Sequence, residues 1–175
     1  PAPASQLIRT REYNRLFKGR GVGRGIPYVV MGHARLVTNG SLEMNENNQP
    51  VVKNGLVGIH NGIIVNDEEL WAAFPSLKKA YEVDTEVVLA LMSMFLKQGY
   101  TFDEAAQQTF EHIKGSASLA VLCAGNKDFL LATNTGSLYT CQGPARNLFL
   151  FASELYILET LLKNASLRKA MGSYQ

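Results

Sequence analysis

Four residues of this 175-residue sequence have types and spacings that could hold an amino acid and act on it: Arg35, Asn61, Gly62 and Asp84. Arg35 closes the run Gly32-His33-Ala34-Arg35, and its guanidinium is a planar fork that can receive a carboxylate through two parallel hydrogen bonds. Thr38 and Asn39, just beyond it, add a hydroxyl and an amide for the same anion. Asn61 and Gly62, within His60-Asn61-Gly62-Ile63-Ile64, supply a side-chain amide and an unobstructed backbone N–H. Two such donors can converge on a developing oxyanion. Asp84, in Val83-Asp84-Thr85-Glu86, offers a carboxylate to an ammonium group. The set could grip both ends of a small zwitterion beside an oxyanion hole.

Each residue also has a plainer explanation. Arg35 fits a solvated strand end, since lone charges usually face water. Asn61-Gly62 fits a simple hairpin turn. Asp84 is in place to cap the helix that starts at Thr85. His60 falls on the opposite side of the strand from Asn61 and reads as a packed core or rim histidine rather than a base. The combination, in this order on a strand, strand, helix layout, is more specific than any member.

The elements that must position these residues follow from pattern. Residues 6–17 read as a strand pair or a strand and turn. The glycine run at 19–25 reads as a flexible loop. A dinucleotide loop would open a helix, whereas residues 26–31 are β-branched and aromatic and predict a strand that runs on to Val37. A polar loop spans 41–49. Strands at 50–53 and 56–60 flank Asn54-Gly55, a two-residue hairpin pair, and Asn61-Gly62 ends the second. Asn66, with Glu69 closing the box, predicts a capped short helix that stops near Pro75. Helical spacing of Val87, Val88, Leu91, Met94 and Phe95 predicts a helix over 85–97, ended by Gly99. Thr101 and Glu104 form a second capping box, for a helix to about Ile113. Strands follow at 118–124, 129–133, 138–141 and 148–152, and Ser153 caps a last helix through Leu162. Strands bracketing helices give an α+β class, sheet packed on sheet with helices outside. No repeat or linker divides the chain, so one domain over 1–175 is expected, with 1–5 and 163–175 peripheral.

Composition narrows the function classes. Hydrophobic residues make up 46% and charged residues 18%, a globular balance. No apolar run reaches the ~18 residues of a membrane span, and no signal-like start is evident. The two cysteines suggest neither a disulfide framework nor a metal site, so a reducing cytoplasm is expected, without metal or cofactor. Residues 1–40 carry seven cations against Glu12 alone, a net +6 within an overall +2. That arm lacks aromatic interleaving and a nucleic-acid fold signature, so a nucleic-acid partner is not expected.

Taken in order, Gly32-His33-Ala34-Arg35 through Gly40, His60-Asn61-Gly62-Ile63-Ile64-Val65-Asn66 and Asp84-Thr85-Glu86-Val87 resemble the glutaminase domain of class II glutamine amidotransferases. These are N-terminal-nucleophile hydrolases, and the likeness is to the kind attached to glucosamine-6-phosphate synthase. A glycine-led strand near Gly115 and the segment Phe151-Ala152-Ser153 also fit, so the resemblance covers about residues 6–162. It implies a four-layer αββα sandwich. It implies that Arg35, with Thr38 and Asn39, binds the α-carboxylate of glutamine, that Asn61 and Gly62 form the oxyanion hole, and that Asp84 receives the α-amino group. It also implies an acceptor or synthase domain or subunit that takes the ammonia; an oligomer is compatible with it.

The same resemblance implies an amino-terminal cysteine that attacks the side-chain amide with its own α-amine as base. The sequence begins Pro1-Ala2-Pro3, and neither Cys123 nor Cys141 carries a free α-amine. The expectation is that the first strand, with the nucleophile, precedes Pro1. Leu36 and Asn39 stand where synthase relatives have Trp and His. Two other readings compete: a glutaminase-like binding or scaffold domain without activity, and a terminal nucleophile created by trimming to Ser5.

Overall fold

The computed structural model describes residues 4–17, 28–34, 47–143 and 148–172. The chain divides into two units, Pro1–Val30 and Met31–Gln175.

In the first unit the expected strand pair is replaced by two short helices, α1 (Ala4–Leu7) and α2 (Arg11–Phe17). Thr10 decides the outcome. Its Oγ1 accepts from Tyr13 N–H at 3.1 Å, capping the start of α2. Glu12 in the first turn and Arg15 in the last complement the helix dipole. The glycine run at 19–25 lies outside the described residues. Residues 28–34 form no strand, contrary to the β-branched pattern.

The second unit begins with a four-stranded antiparallel sheet in the order β1-β2-β3-β4. Its strands are β1 (Val51–Lys53), β2 (Leu56–Ile64), β3 (Gly115–Cys123) and β4 (Phe129–Thr133). Asn54 and Gly55 turn β1 into β2 with φ of 50° and 84°, the doubly positive geometry that the Asn-Gly pair favours. The second Asn-Gly is no turn. Asn61 and Gly62 lie inside β2, which stays in register with β3 from Leu56↔Cys123 to Ile64↔Gly115.

Helices α3 (Asp67–Ala73), α4 (Thr85–Lys97) and α5 (Phe102–His112) follow β2. Asn66 precedes α3 but does not cap it. Its Oδ1 accepts from Lys114 N–H at 2.7 Å and its Nδ2 donates to His112 O at 3.0 Å, tying α3 to the α5–β3 junction. Thr101 and Glu104 do form the reciprocal box at the start of α5. Helix α4 is buried along most of its length, as a helix apolar on nearly every face must be. It lies against β1 and β2, and at Gly58 the approach is so close that a β-carbon would sit 2.8 Å from Leu89 Cδ2.

A second, two-stranded sheet consists of β5 (Tyr139–Gly143) and β6 (Leu148–Ala152). Phe151 meets Phe129 of the first sheet with ring centroids 5.2 Å apart. On its other side a small core of Cys141, Leu158 and Met171 joins the sheet to α6 (Leu155–Leu162) and α7 (Ala165–Met171). Glu154, not Ser153, precedes α6, and it makes no side-chain cap. Helix α7 was not evident in the sequence. Asn164 starts it by accepting from Ser166 and Leu167 N–H at 3.0 and 3.1 Å. Helices, sheet, sheet, helices: the layering is the expected α+β arrangement.

Candidate active site

Strand β2 presents different chemistry on its two faces, as strand alternation requires. Gly58, His60 and Gly62 face α4. Ile59 and Asn61 face the other way, into a cavity of about 400 Å³ whose lining also includes Gly32, Ser118, Phe151 and Ser153. The Asn61 side chain is exposed and takes no hydrogen-bond partner among the described residues, so its amide is free to donate into that space. The strand behind it is held by an unusual clamp. Gln49 Oε1 accepts from His60 N–H at 2.5 Å, and its Nε2 donates to His60 O at 2.9 Å, so one side chain acts as a short extra strand.

Gly62 has a φ of 139°, which L side chains rarely adopt, and a β-carbon there would lie 2.1 Å from Ser116 O. Gly115 mirrors it across the ladder: its φ is 113° and its β-carbon would lie 2.1 Å from Ile63 O. Only two glycines allow the strands to meet this way. Side chains enter the ladder around them. Ile63 N–H donates to Ser116 Oγ at 3.3 Å, Ile64 N–H to Asp84 Oδ2 at 2.9 Å, and Ala117 N–H to Asn134 Oδ1 at 2.8 Å.

Asp84 is therefore not a cap. Its backbone is already helical and its side chain makes no cap bond. The carboxylate turns instead to β2, with Oδ1 3.7 Å from His60 Nδ1. Burial pushes the carboxyl up, but the His60 ring and the Ile64 N–H outweigh it and hold the group below the ordinary carboxylate range. Asp84 is not among the residues lining the cavity; it reaches the Asn61–Gly62 segment from the α4 side of the same strand.

The loop that delivers Asp84 is fastened from three directions. Glu86, fully buried, accepts from Ala80 N–H at 2.9 Å and from Tyr81 N–H at 2.7 Å, and pairs with Lys53 Nζ at 2.5 Å. Lys53 Nζ also donates to Lys78 O at 2.7 Å. Asn47 Nδ2 donates to Glu82 Oε2 at 2.8 Å while its Oδ1 accepts from Glu82 N–H at 3.0 Å. Arg35, Thr38 and Asn39 lie outside the described residues. Asn61 and Gly62 are neighbours in β2, and Asp84 bonds to Ile64 two residues further along the strand. Glu86, Gln49 and the partners of His60 were not foreseen, because each acts across a distance in sequence that no local pattern spans. Among the described residues, no cluster of His, Cys, Asp or Glu could hold a metal ion.

A family model described as a glutamine amidotransferase domain matches residues 33–160. The chain belongs to that family. Glutamine–fructose-6-phosphate aminotransferase (isomerizing) of Brucella abortus is 33% identical over 136 residues, covering 75% of this chain and 22% of that protein. The Escherichia coli protein of the same name is 34% identical over 133 residues, covering 75% and 20%. The chain thus spans about a fifth of the length of these relatives. Among solved structures, the glutamine phosphoribosylpyrophosphate amidotransferase of B. subtilis superposes with a TM-score of 0.55 at 23% identity, over 73% of this chain and 28% of that one. The domain therefore shares the α+β fold of that amidotransferase structure. Among its described residues no helix is long and apolar enough to cross a membrane.

Proposed function

We propose that this domain binds glutamine and, with the amino-terminal thiol that the family resemblance implies, hydrolyses it to glutamate and ammonia. The observation that carries the reading is the Asp84–Ile64 bond at 2.9 Å, which fixes a charged carboxylate beside the strained Asn61–Gly62 segment. In this reading Asp84 takes the α-ammonium and Arg35, with Thr38 and Asn39, takes the α-carboxylate, two charge-assisted contacts that orient the substrate. The thiolate adds to the side-chain amide carbon. Its carbonyl oxygen becomes an oxyanion held by the Asn61 amide and the Gly62 N–H; the terminal α-amine, which took the thiol proton, returns it to the amide nitrogen, and collapse expels ammonia to leave a thioester that water cleaves to glutamate. The described cysteines do not serve as this nucleophile. Cys123 pairs with Leu56 at the opposite end of the β2–β3 ladder, and Cys141 is buried in the second core.

Ammonia would pass to an acceptor on a synthase domain or subunit, a reading supported by the small share of its relatives that the chain covers. The test is glutaminase activity of the natural full-length protein, read as glutamate formed from glutamine. Activity that an Arg35→Ala substitution removes supports the reading. Glutamine binding without glutamate formation would make this a binding or scaffold domain instead.

A further inference from the structure

The free edge of β2 is closed by side chains, with one gap left among them. Strand β1 pairs with β2 only as far as Val51↔Gly58, and continued pairing would set Gln49 opposite His60 and Asn47 opposite Gly62. Gln49 turns its side-chain amide to His60 instead, taking the N–H at 2.5 Å and the carbonyl oxygen at 2.9 Å. Asn47 is drawn aside, its amide engaged with Glu82 at 2.8 and 3.0 Å. Further along, Asp84 Oδ2 takes the Ile64 N–H at 2.9 Å. Gly62 lies between these two closures. Bonds toward β3 leave from alternate residues: Gly55 O accepts from Ala124 N–H, and Ile63 N–H donates to Ser116 Oγ. Asn61 falls on that alternation, opposite Ser118. Its planar peptide with Gly62 therefore directs the carbonyl to β3 and the N–H to the open edge, where it takes no partner among the described residues.

We propose that Gln49 is a positioning residue for the oxyanion hole: its amide ends the pairing of β2 at His60 and holds the Asn61–Gly62 peptide with its N–H open to the substrate. This role rests on the glutamine reading above. A side-chain amide suits it, because it satisfies His60 through one donor and one acceptor and then stops. A backbone strand in the same place would run on and consume the Gly62 N–H as well. Gly62 also needs holding. Its φ is 139°, and a residue without a β-carbon has many other conformations open to it. Gln49 fastens the residue before Asn61, and Asp84 fastens the second residue after Gly62. Removing the first fastening lets the intervening peptide turn, so that the donor is present but misaimed. That affects the step in which charge develops on the oxygen more than the binding that precedes it.

Hydrogen exchange resolved to single residues and steady-state glutaminase kinetics, both on the natural full-length protein, test this. In the wild type the His60 and Ile64 amides should exchange slowly and the Gly62 amide about tenfold faster or more. In Gln49→Met, which keeps the length of the side chain and removes both bonds, His60 loses its protection. There kcat, corrected for the folded fraction read from urea curves, should fall about tenfold while KM stays within about twofold. Gln49→Glu keeps an acceptor for the His60 N–H but sets a carboxylate against the His60 carbonyl, and its kcat should fall by a similar factor. A Gly62 amide as protected as its two neighbours overturns the proposal. So does an unchanged kcat in Gln49→Met or, where that variant does not fold, in Gln49→Glu. A KM that rises while kcat holds also overturns it, by making Gln49 a determinant of substrate binding. In each of these cases wild-type glutamate formation leaves the glutaminase reading intact; its absence overturns both.

Discussion

The Lys53 ammonium meets the Glu86 carboxylate at 2.5 Å with none of the Glu86 side chain exposed, and the pair holds the loop that carries Asp84. The two members are unequal. Glu86 also serves the Ala80 and Tyr81 N–H groups, so Glu86→Ala leaves a cation and two backbone donors without their acceptor. Removing one partner of a buried ion pair typically costs a few kcal/mol, and about 3 kcal/mol is expected here from urea midpoints. Lys53→Met is milder, because Glu86 keeps both N–H donors. Hydrogen exchange at Ala80 and Tyr81 should rise in the first variant well before it does in the second.

Gly62 and Gly115 hold one another's strands in place, and their substitution separates clash from backbone strain. Gly62→Ala and Gly115→Ala each meet a carbonyl oxygen at 2.1 Å, whereas at Gly99, with φ of 95°, a methyl group would find nothing within 4 Å. Gly99→Ala should therefore cost only the positive-φ strain, about 1 kcal/mol. The other two should cost several times as much by the same denaturation measurement. Equal losses at all three positions would mean that the ladder relaxes around the methyl groups.

How far these features are legible in sequence depends on how local their causes are. The pattern predicts α4 at its observed bounds, Thr85–Lys97, because its apolar spacing and the Gly99 stop are contained in the segment. The strands Phe129–Thr133 and Leu148–Ala152 are legible for the same reason. Asn61-Gly62 misleads because a hairpin turn and a positive-φ strand glycine call for the same dipeptide. What decides is Gly115, more than fifty residues away in sequence. Asp84 misleads likewise: the capping signal is local, and the Ile64 N–H that displaces it is not. Alternation along β2 is enough to place His60 opposite Asn61, yet its contacts at Asp84, Thr85 and Ser116 emerge only from the fold. In α1 and α2 the short mixed sequence conceals a helix start that Thr10 alone announces.

Asn61 is exposed and unpartnered among the described residues, so its substitution should affect chemistry without affecting stability. In the full-length protein, Asn61→Ala is expected to lower kcat for glutamine hydrolysis by about 10²–10³, the loss typical of one oxyanion donor. KM should change little, because the donor engages charge that develops only after attack. A variant that binds glutamine poorly but turns it over at the normal rate would instead make Asn61 a substrate-binding residue.

Asp84→Asn should act on both recognition and acid stability, with distinct pH signatures. The lost charge removes the partner of the α-ammonium, raising KM for glutamine by roughly a hundredfold, as expected for one member of a hydrogen-bonded charge pair. Its stability effect has a sign fixed by the lowered carboxyl pKa. A group whose folded pKa lies below its unfolded value stabilises the protein fully above the unfolded value, about 3.9 for aspartate, and loses that contribution as pH falls through the folded value. Urea midpoints of wild type and Asp84→Asn should therefore differ most near neutrality and converge as the pH falls through the lowered folded-state pKa of the carboxyl. A gap that stays constant throughout acid titration would place the stabilisation in the shape of the side chain rather than in its charge.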